Sequence, residues 1–417
     1  MYAVVYGLAA AALALAARSL VALRRSRRYY AERLADRCQN RYLPRVTLIV
    51  PVKGPEEGLA ENLRSLATQD YPDYELIVVA RCAEDVPAGV TPERARLILA
   101  GDGDPSTGEK VNNLVAAVRH ASEETEVLAF ADSDGRVEAG WLRALVAPLA
   151  EPGVGAATGY RVYVPEPPDA PSLLRALWNG SILGSLGDGD SPLVWGGAMA
   201  IRRQTFIQAR VLESWRGTVS DDYALAEAVR RAGMRIRFAP GALVASTDHV
   251  TARGLTAWVR RQLVITRVYN PGLWRMSLWA TAVYCGATIA SLAASIFGEM
   301  AGWGLLVLLA AQEILKADGW MRLAASALPA ARVWADRFGK RLACRAPLTP
   351  WIWLAGLALS AYACEIEWRG RRYRLSRPRP GSVGGPAAAA PHRRGGSERP
   401  PAAGARSRGV PSVNNSG

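Results

Sequence analysis

Two carboxylates, two residues apart, close an apolar run in the string Ala131-Asp132-Ser133-Asp134. Hard divalent cations such as Mg²⁺ or Mn²⁺ prefer such oxygens and bridge them to a diphosphate. Asp132 and Asp134 are therefore candidate metal ligands and donor contacts. D-x-D alone is a common loop string, and its place at a strand end is what makes it informative. A second acidic pair, Asp221-Asp222, stands within Val219-Ser220-Asp221-Asp222-Tyr223, immediately before a helical segment. Ser and Asp cap helices, and a carboxylate at a cleft also serves as general base toward a hydroxyl nucleophile. Asp222 is the candidate base and Asp221 its rival. A third string, Gly108-Glu109-Lys110-Val111-Asn112-Asn113-Leu114, offers Lys110 to offset phosphate charge and Asn112 and Asn113 to hydrogen-bond a sugar or base. Helix capping is its plainer meaning.

These strings need elements to position them. Val46–Val52, Glu75–Ala80, Arg96–Ala100 and Val127–Ala131 are short apolar runs, and helical patterns over Gly58–Gln69 and Lys110–Ala121 alternate with them. Nearly continuous apolar strands alternating with helices predict a parallel α/β sheet covered on both faces. Ligands of such sheets bind at the carboxyl ends of the strands, which is where Asp132 falls. This domain is expected over residues 45–267.

Membrane-type segments flank it. Tyr2–Ala17 is uninterrupted apolar sequence and continues past Arg18 to Leu23, followed by Arg24, Arg25, Arg27 and Arg28. A cleaved signal peptide carries its charges before the apolar core, so residues 1–28 are expected to be a retained anchor with its basic flank. The positive-inside rule then puts the α/β domain in the cytoplasm. Ser277–Phe297 is uncharged and long enough for a ~30 Å hydrocarbon core; Gly302–Leu315 and Leu348–Cys364 are further apolar blocks. Basic residues flank both ends of the last block, which suits a re-entrant or interfacial helix better than a full span. A basic amphipathic stretch, Ala331–Arg345, precedes it, and residues 275–375 make up the expected C-terminal membrane region. Residues 376–417, rich in Pro, Gly, Ala and Arg, are expected to be a disordered basic tail.

Composition narrows the class. The 417 residues are 50% hydrophobic with mean hydropathy +0.03, so wholly disordered, collagen-like and small disulfide-scaffold proteins are excluded. The net charge is +14, and the Arg-rich tail lies beside the apolar segments without interleaved aromatics, which favours anionic membrane lipid over nucleic acid as partner. The five cysteines have neither CxxC spacing nor His pairing, so they supply no metal site or disulfide framework. His249, after Asp248, is a lone histidine more suited to a structural role than to metal ligation.

In order along the chain, Val50-Pro51-Val52-Lys53-Gly54, Gln69-Asp70-Tyr71-Pro72-Asp73-Tyr74-Glu75, Lys110-Val111-Asn112-Asn113-Leu114, Asp132-Ser133, Asp221-Asp222-Tyr223 and Trp368-Arg369-Gly370-Arg371-Arg372-Tyr373-Arg374-Leu375 resemble the motifs of ceramide glucosyltransferases. The resemblance covers roughly residues 1–375. It implies a GT-A nucleotide-sugar-binding (Rossmann-like) domain with one N-terminal and two to three C-terminal membrane helices. It further implies inverting transfer from a UDP-sugar to a lipid hydroxyl with Mg²⁺ or Mn²⁺, in a membrane that the Ala- and Arg-rich composition suggests is bacterial. Asp132 then matches the family's second aspartate, for donor and metal, and Asp222 the third, the base; Asp134 stands where the family usually has Gly. Pro51 and Lys53 fall on the donor side, and Trp195, Gly196 and Gly197 on the acceptor side. Two departures stand out. The first family aspartate is replaced by Ala80-Arg81-Cys82, with Glu84 or Asp85 as nearby substitutes. The (Gln or Arg)-x-x-Arg-Trp string reads Arg261-Gln262-Leu263-Val264-Ile265, with Arg260, Arg261 and Arg267 as candidate pyrophosphate contacts. A processive polysaccharide synthase would carry that string intact and more spans; a catalytically silent scaffold is the reading the departures favour.

Overall fold

The computed structural model describes residues 2–36, 41–56 and 58–375; the tail at 376–417 lies outside them. Helix α1 (Tyr2–Ala35) leads into the sheet domain. There β1 (Val46–Pro51), β2 (Tyr74–Ala80), β3 (Ala95–Leu99) and β4 (Val127–Ala131) alternate with α2 (Leu59–Ala67) and α3 (Glu109–Arg119). β1, β2 and β4 are buried on both pleat faces, whereas β3, at the sheet edge, leaves Leu97 and Leu99 exposed. Leu48, Val50, Leu76 and Val78 pack under α2 and under α4 (Trp141–Val146). Ile49, Ile77 and Val79 pack under α3 and helices α6 (Arg203–Gln208), α7 (Val211–Trp215) and α8 (Asp221–Arg231).

The strands expected from the sequence are parallel to one another, but the whole sheet is mixed. Its order is β3-β2-β1-β4-β6-β5-β7, with β5 (Val154–Tyr163), β6 (Ala198–Arg202) and β7 (Arg235–Ser246) completing it. After β5 the chain makes α5 (Ala170–Leu183) outside the sheet and re-enters between β4 and β5 as β6, antiparallel to both. That re-entry pairs Ala131 with Ala198, so Gly196 and Gly197 lie directly beside the end of β4.

The remaining helices are α9 (Ala252–Tyr269), α10 (Pro271–Ile296), α11 (Met300–Ala327), α12 (Pro329–Ala343) and α13 (Thr349–Ser360). Among the described residues α1, α10 and α11 are long and apolar enough to cross a membrane. The 12 residues of α13 extend roughly 18 Å at ~1.5 Å per residue, well short of a ~30 Å core. It is joined to α12 at a bend of 62°. The N-terminal half of α1 packs on α10 and α11 through Ala12, Tyr284, Cys285 and Leu309. Its C-terminal half docks on the sheet domain, where the Tyr29 hydroxyl donates to the Phe238 carbonyl and Arg33 pairs with Glu151. Helix α1 is thus one continuous element, longer than the 1–28 segment expected from the sequence, that packs on both the sheet and the apolar bundle. A hairpin, β8 (Glu365–Trp368) and β9 (Arg371–Arg374), follows α13.

Candidate active site

The carboxyl ends of β1 and β4, the N-termini of α3 and α8, and α9 surround a cavity of about 640 Å³. Lys110, in the first turn of α3, stands at its centre. Its ammonium donates to Asp132 Oδ1 at 2.8 Å and to the Gly196 carbonyl at 3.3 Å, and lies 3.2 Å from Asp221 Oδ2. Burial opposes the charge of Lys110, but Asp132 and Asp221 overcome it and raise its pKa far above the usual lysine range. Asp221 is buried, which raises its pKa to about 6 against the pull of Lys110, with Asp222 and Asp132 adding to the rise.

Asp222 faces the cavity from the same helix start. Its Oδ1 accepts from the Tyr223 amide at 2.7 Å and from the Ser220 hydroxyl, and its Oδ2 accepts from the Gly196 amide at 3.3 Å. Ser220 is also the N-cap of α8. Capping and orientation of the carboxylate are therefore one local structure, and the two meanings read from the sequence do not exclude each other.

The Gly196-Gly197 pair serves clearance. A Cβ on Gly197 would sit 2.6 Å from Asp132 Oδ2 and 2.2 Å from the Trp195 ring; one on Gly196 would sit 2.6 Å from Asp221 Oδ2. Without a side chain at either position, the carboxylates of β4 and α8 converge on one lysine. Trp195 lines the cavity with its amide bonded to the Thr158 hydroxyl at 2.9 Å.

Arg161, near the carboxyl end of β5, is the residue the sequence reading missed. Its guanidinium forks onto Asp134, with one nitrogen at 2.9 Å from Oδ2, and reaches Asp132 Oδ2 at 3.2 Å. Burial works to raise the Asp134 pKa, but Arg161 prevails and holds it at about 2. The signal available was a single charge inside an otherwise uncharged ten-residue strand. Its partners lie 27 and 29 residues away, so only the fold reveals them.

The other predicted residues divide. Pro51, Lys53, Asn113 and Arg261 line the cavity. Lys53 pairs with Glu109 at 2.8 Å, and the buried Oδ1 of Asn113 has no partner. Five do not reach the wall: Arg260 is exposed on α9, and the others are held elsewhere. Asn112 donates instead to the carbonyls of Asp104 and Thr107 at 2.9 and 3.3 Å. Glu84 is exposed in a one-turn 3-10 helix. Asp85 turns toward Arg81, 3.8 Å away, while its carbonyl accepts from the Gly54 amide. Arg267 donates to the Ala363 carbonyl and so ties α9 to the chain before the hairpin. His249 pairs with Asp169 at 2.5 Å and does not line the cavity.

As a metal site, Asp132 and Asp134 leave 26% and 41% of their side-chain surface open while Arg161 and Lys110 hold them from the protein side. Among the described residues no third acidic, His or Cys ligand joins them. Two open carboxylates fit Mg²⁺ or Mn²⁺, which commonly complete their shell with substrate phosphates and water. Away from these charges the cavity becomes apolar, walled by Trp178, Ile182, Leu193, Trp258, Leu273, Met276 and Trp353 from α5, α9, α10, α13 and the loop before β6.

Residues 4–379 match the glycosyl transferase family 21 profile. The chain belongs to that family. Membership carries the α/β GT-A fold class, which the sheet described above satisfies. No curated protein matches the sequence significantly. Among solved structures, glucosyl-3-phosphoglycerate synthase from Mycobacterium tuberculosis, in complex with Mn²⁺ and UDP-glucose, is similar at 17% identity and TM-score 0.37, over 57% of this chain and 82% of that one. GalNAc-T7 with UDP, GalNAc and Mn²⁺ is similar at 13% identity and TM-score 0.37, over 52% and 48%.

Proposed function

We propose that this family 21 member is an integral-membrane, inverting glycosyltransferase that moves a hexose from a UDP-sugar to a lipid hydroxyl. The acceptor is of ceramide, diacylglycerol or hopanoid type, and the sheet domain faces the cytoplasm of a bacterial inner membrane. One observation carries this reading: a single cavity joins the carboxylates at the strand ends to the apolar start of α10, a candidate membrane span. Lys53, Lys110, Arg161 and Arg261 give the charged end cations for a diphosphate, and the tryptophan-rich end suits a lipid presented at the interface.

The chemistry is one in-line displacement. The acceptor hydroxyl oxygen attacks the anomeric carbon from the face opposite the UDP and loses its proton to Asp222. The bond from the anomeric carbon to the diphosphate oxygen breaks as the new bond forms, and its electron pair leaves with UDP. Asp222 is oriented for this by Ser220, Tyr223 and the Gly196 amide, while Lys110 holds Asp221 and Asp132 in place. Mg²⁺ or Mn²⁺, held by Asp132 and Asp134, would supply charge to the leaving diphosphate.

The test is to incubate membranes containing the protein with radiolabelled UDP-sugars and analyse the extracted lipids. Label should enter a lipid. Asp222→Asn keeps the cap but loses the basic charge, so it should lower turnover by at least ~10²-fold with UDP-sugar binding nearly intact. Label recovered only in polymer would refute the lipid acceptor. Loss of activity in Asp221→Asn alone would reassign the base.

A further inference from the structure

The C-terminal hairpin adds no strand to the main sheet, yet it closes the charged end of the cavity. Its tip is Arg369-Gly370, with φ of 48° and 76°, a pair of positive values that a two-residue I′-type turn requires. Ile366, Tyr373 and Leu375 anchor its base in an apolar cluster with Val219, Val264 and Tyr269. It is thereby fixed beside the start of α8, two residues from Asp221.

From that anchor three guanidiniums meet in the cavity. Arg161 is matched by Asp132 and Asp134. Arg369 donates to the Lys53 carbonyl at 2.7 Å and pairs with Glu56. Arg261 lies 5.8 Å over the Trp368 ring, and among the described residues no carboxylate pairs with it. Burial lowers the Arg261 pKa; Tyr163 and Asp134 oppose this, and Arg369 and Arg161 add to it as like charges. Of the three, Arg261 alone has no carboxylate partner among the described residues. Guanidinium forks match phosphate oxygens.

We infer that Arg369 clamps the diphosphate of the nucleotide donor, making the C-terminal hairpin part of the donor site. This rests on the UDP-sugar reading above. Glu56 is the switch for the clamp: its Oε2 accepts from Ser133, between Asp132 and Asp134, at 2.7 Å, while its Oε1 takes Arg369. A diphosphate arriving at the D-x-D loop competes with Glu56 for the same guanidinium. Arg371 is differently placed. It pairs with Glu109 at 3.0 Å, outside the cavity wall, and so braces the hairpin.

The experiment compares UDP with uridine binding to the full-length protein in detergent with Mg²⁺, by calorimetry. Arg369→Ala should weaken UDP at least ~10-fold, as loss of a charge-assisted hydrogen bond does, and leave uridine unchanged. Arg369→Lys should recover part of the loss. Glu56→Gln frees Arg369 and should leave UDP affinity equal to or above that of the wild type. Unchanged UDP affinity in Arg369→Ala refutes the clamp. So does a parallel loss of UDP and uridine in both Arg369→Ala and Glu56→Gln, which marks a brace for the loop. Wild-type protein that binds neither ligand overturns the donor reading itself.

Discussion

Replacing Lys110 by methionine tests the electrostatic centre of the site. The side chain is 16% exposed and its ammonium serves Asp132, Asp221 and the Gly196 carbonyl together. Methionine fills similar space without charge. Breaking a buried ion pair by removing one partner costs about 3–5 kcal/mol, because the other charge stays buried and unmatched. Here the remaining charge can escape by taking a proton. Asp221 already has a folded-state pKa of about 6 against 3.8 unfolded, and losing Lys110 moves it higher. A carboxylate whose folded pKa is raised stabilises the fold below its unfolded pKa, and that stability is lost as pH rises through the folded value. Lys110 in the wild type has its pKa raised from 10.5, so its own contribution changes only above that pH. Lys110→Met should therefore be mild at pH 5 and severe at pH 8, where an apparent Tm lower by roughly 5 °C is expected. Tryptophan fluorescence melts of the detergent-solubilised protein at the two pH values measure it. An equal Tm loss at both pH values, or none, would refute the argument that Lys110 neutralises Asp221.

Three further outcomes follow from the geometry. UDP-sugar affinity should require Mg²⁺ or Mn²⁺ and fall at least ~10-fold in Asp132→Asn; equal affinity with EDTA and with metal, measured by calorimetry, would exclude the ion at Asp132 and Asp134. Gly197→Ala, whose Cβ meets Asp132 Oδ2 at 2.6 Å, should lower turnover at least ~10-fold, because small misplacements of reacting groups are costly; a wild-type rate would show that the Trp195 loop gives way. A cysteine at Asp104, in a background lacking the exposed Cys344 and Cys364, should be shielded from impermeant thiol reagents in intact cells, and labelling from outside would invert the topology.

The fold was most legible where interactions are local. The runs at β1, β2 and β4 are buried on both faces, β3 is a short apolar edge strand, and the D-x-D string falls at the end of β4 because ligand-binding loops follow parallel strands. The long apolar helices were equally plain, since length and absence of charge suffice. Strand β6 was not, because Ala-Met-Ala-Ile-Arg has little β-character and is held by β4 and β5, each of which it pairs antiparallel. The role of Lys110 was half visible: its charge suggested phosphate, but its partners sit 22 and 111 residues along the chain. Arg161 needed the sheet before its carboxylates could be found.

Both departures from the family pattern argue for a silent scaffold when taken as strings, and both weaken as that argument once placed in space. Arg81 stands where an aspartate is expected, but the buried carboxylate of Glu109 lies 3.9 Å from it and 2.8 Å from Lys53. The negative group at this end of the cavity comes from the first turn of α3. At Val264 the helix lacks an arginine, and the structure gives a packing reason: Val264 is fully buried with Ile366, Tyr373 and Leu375, where a guanidinium would be desolvated at high cost. The hairpin that buries Val264 also carries Trp368 and Arg369 into the cavity, opposite Arg261. A site is defined by charges converging on a volume, and neighbouring elements can deliver charges that a single motif lacks. The cavity keeps carboxylates at its base, cations along one side and an apolar exit toward α10, an arrangement a silent scaffold has no physical need to hold.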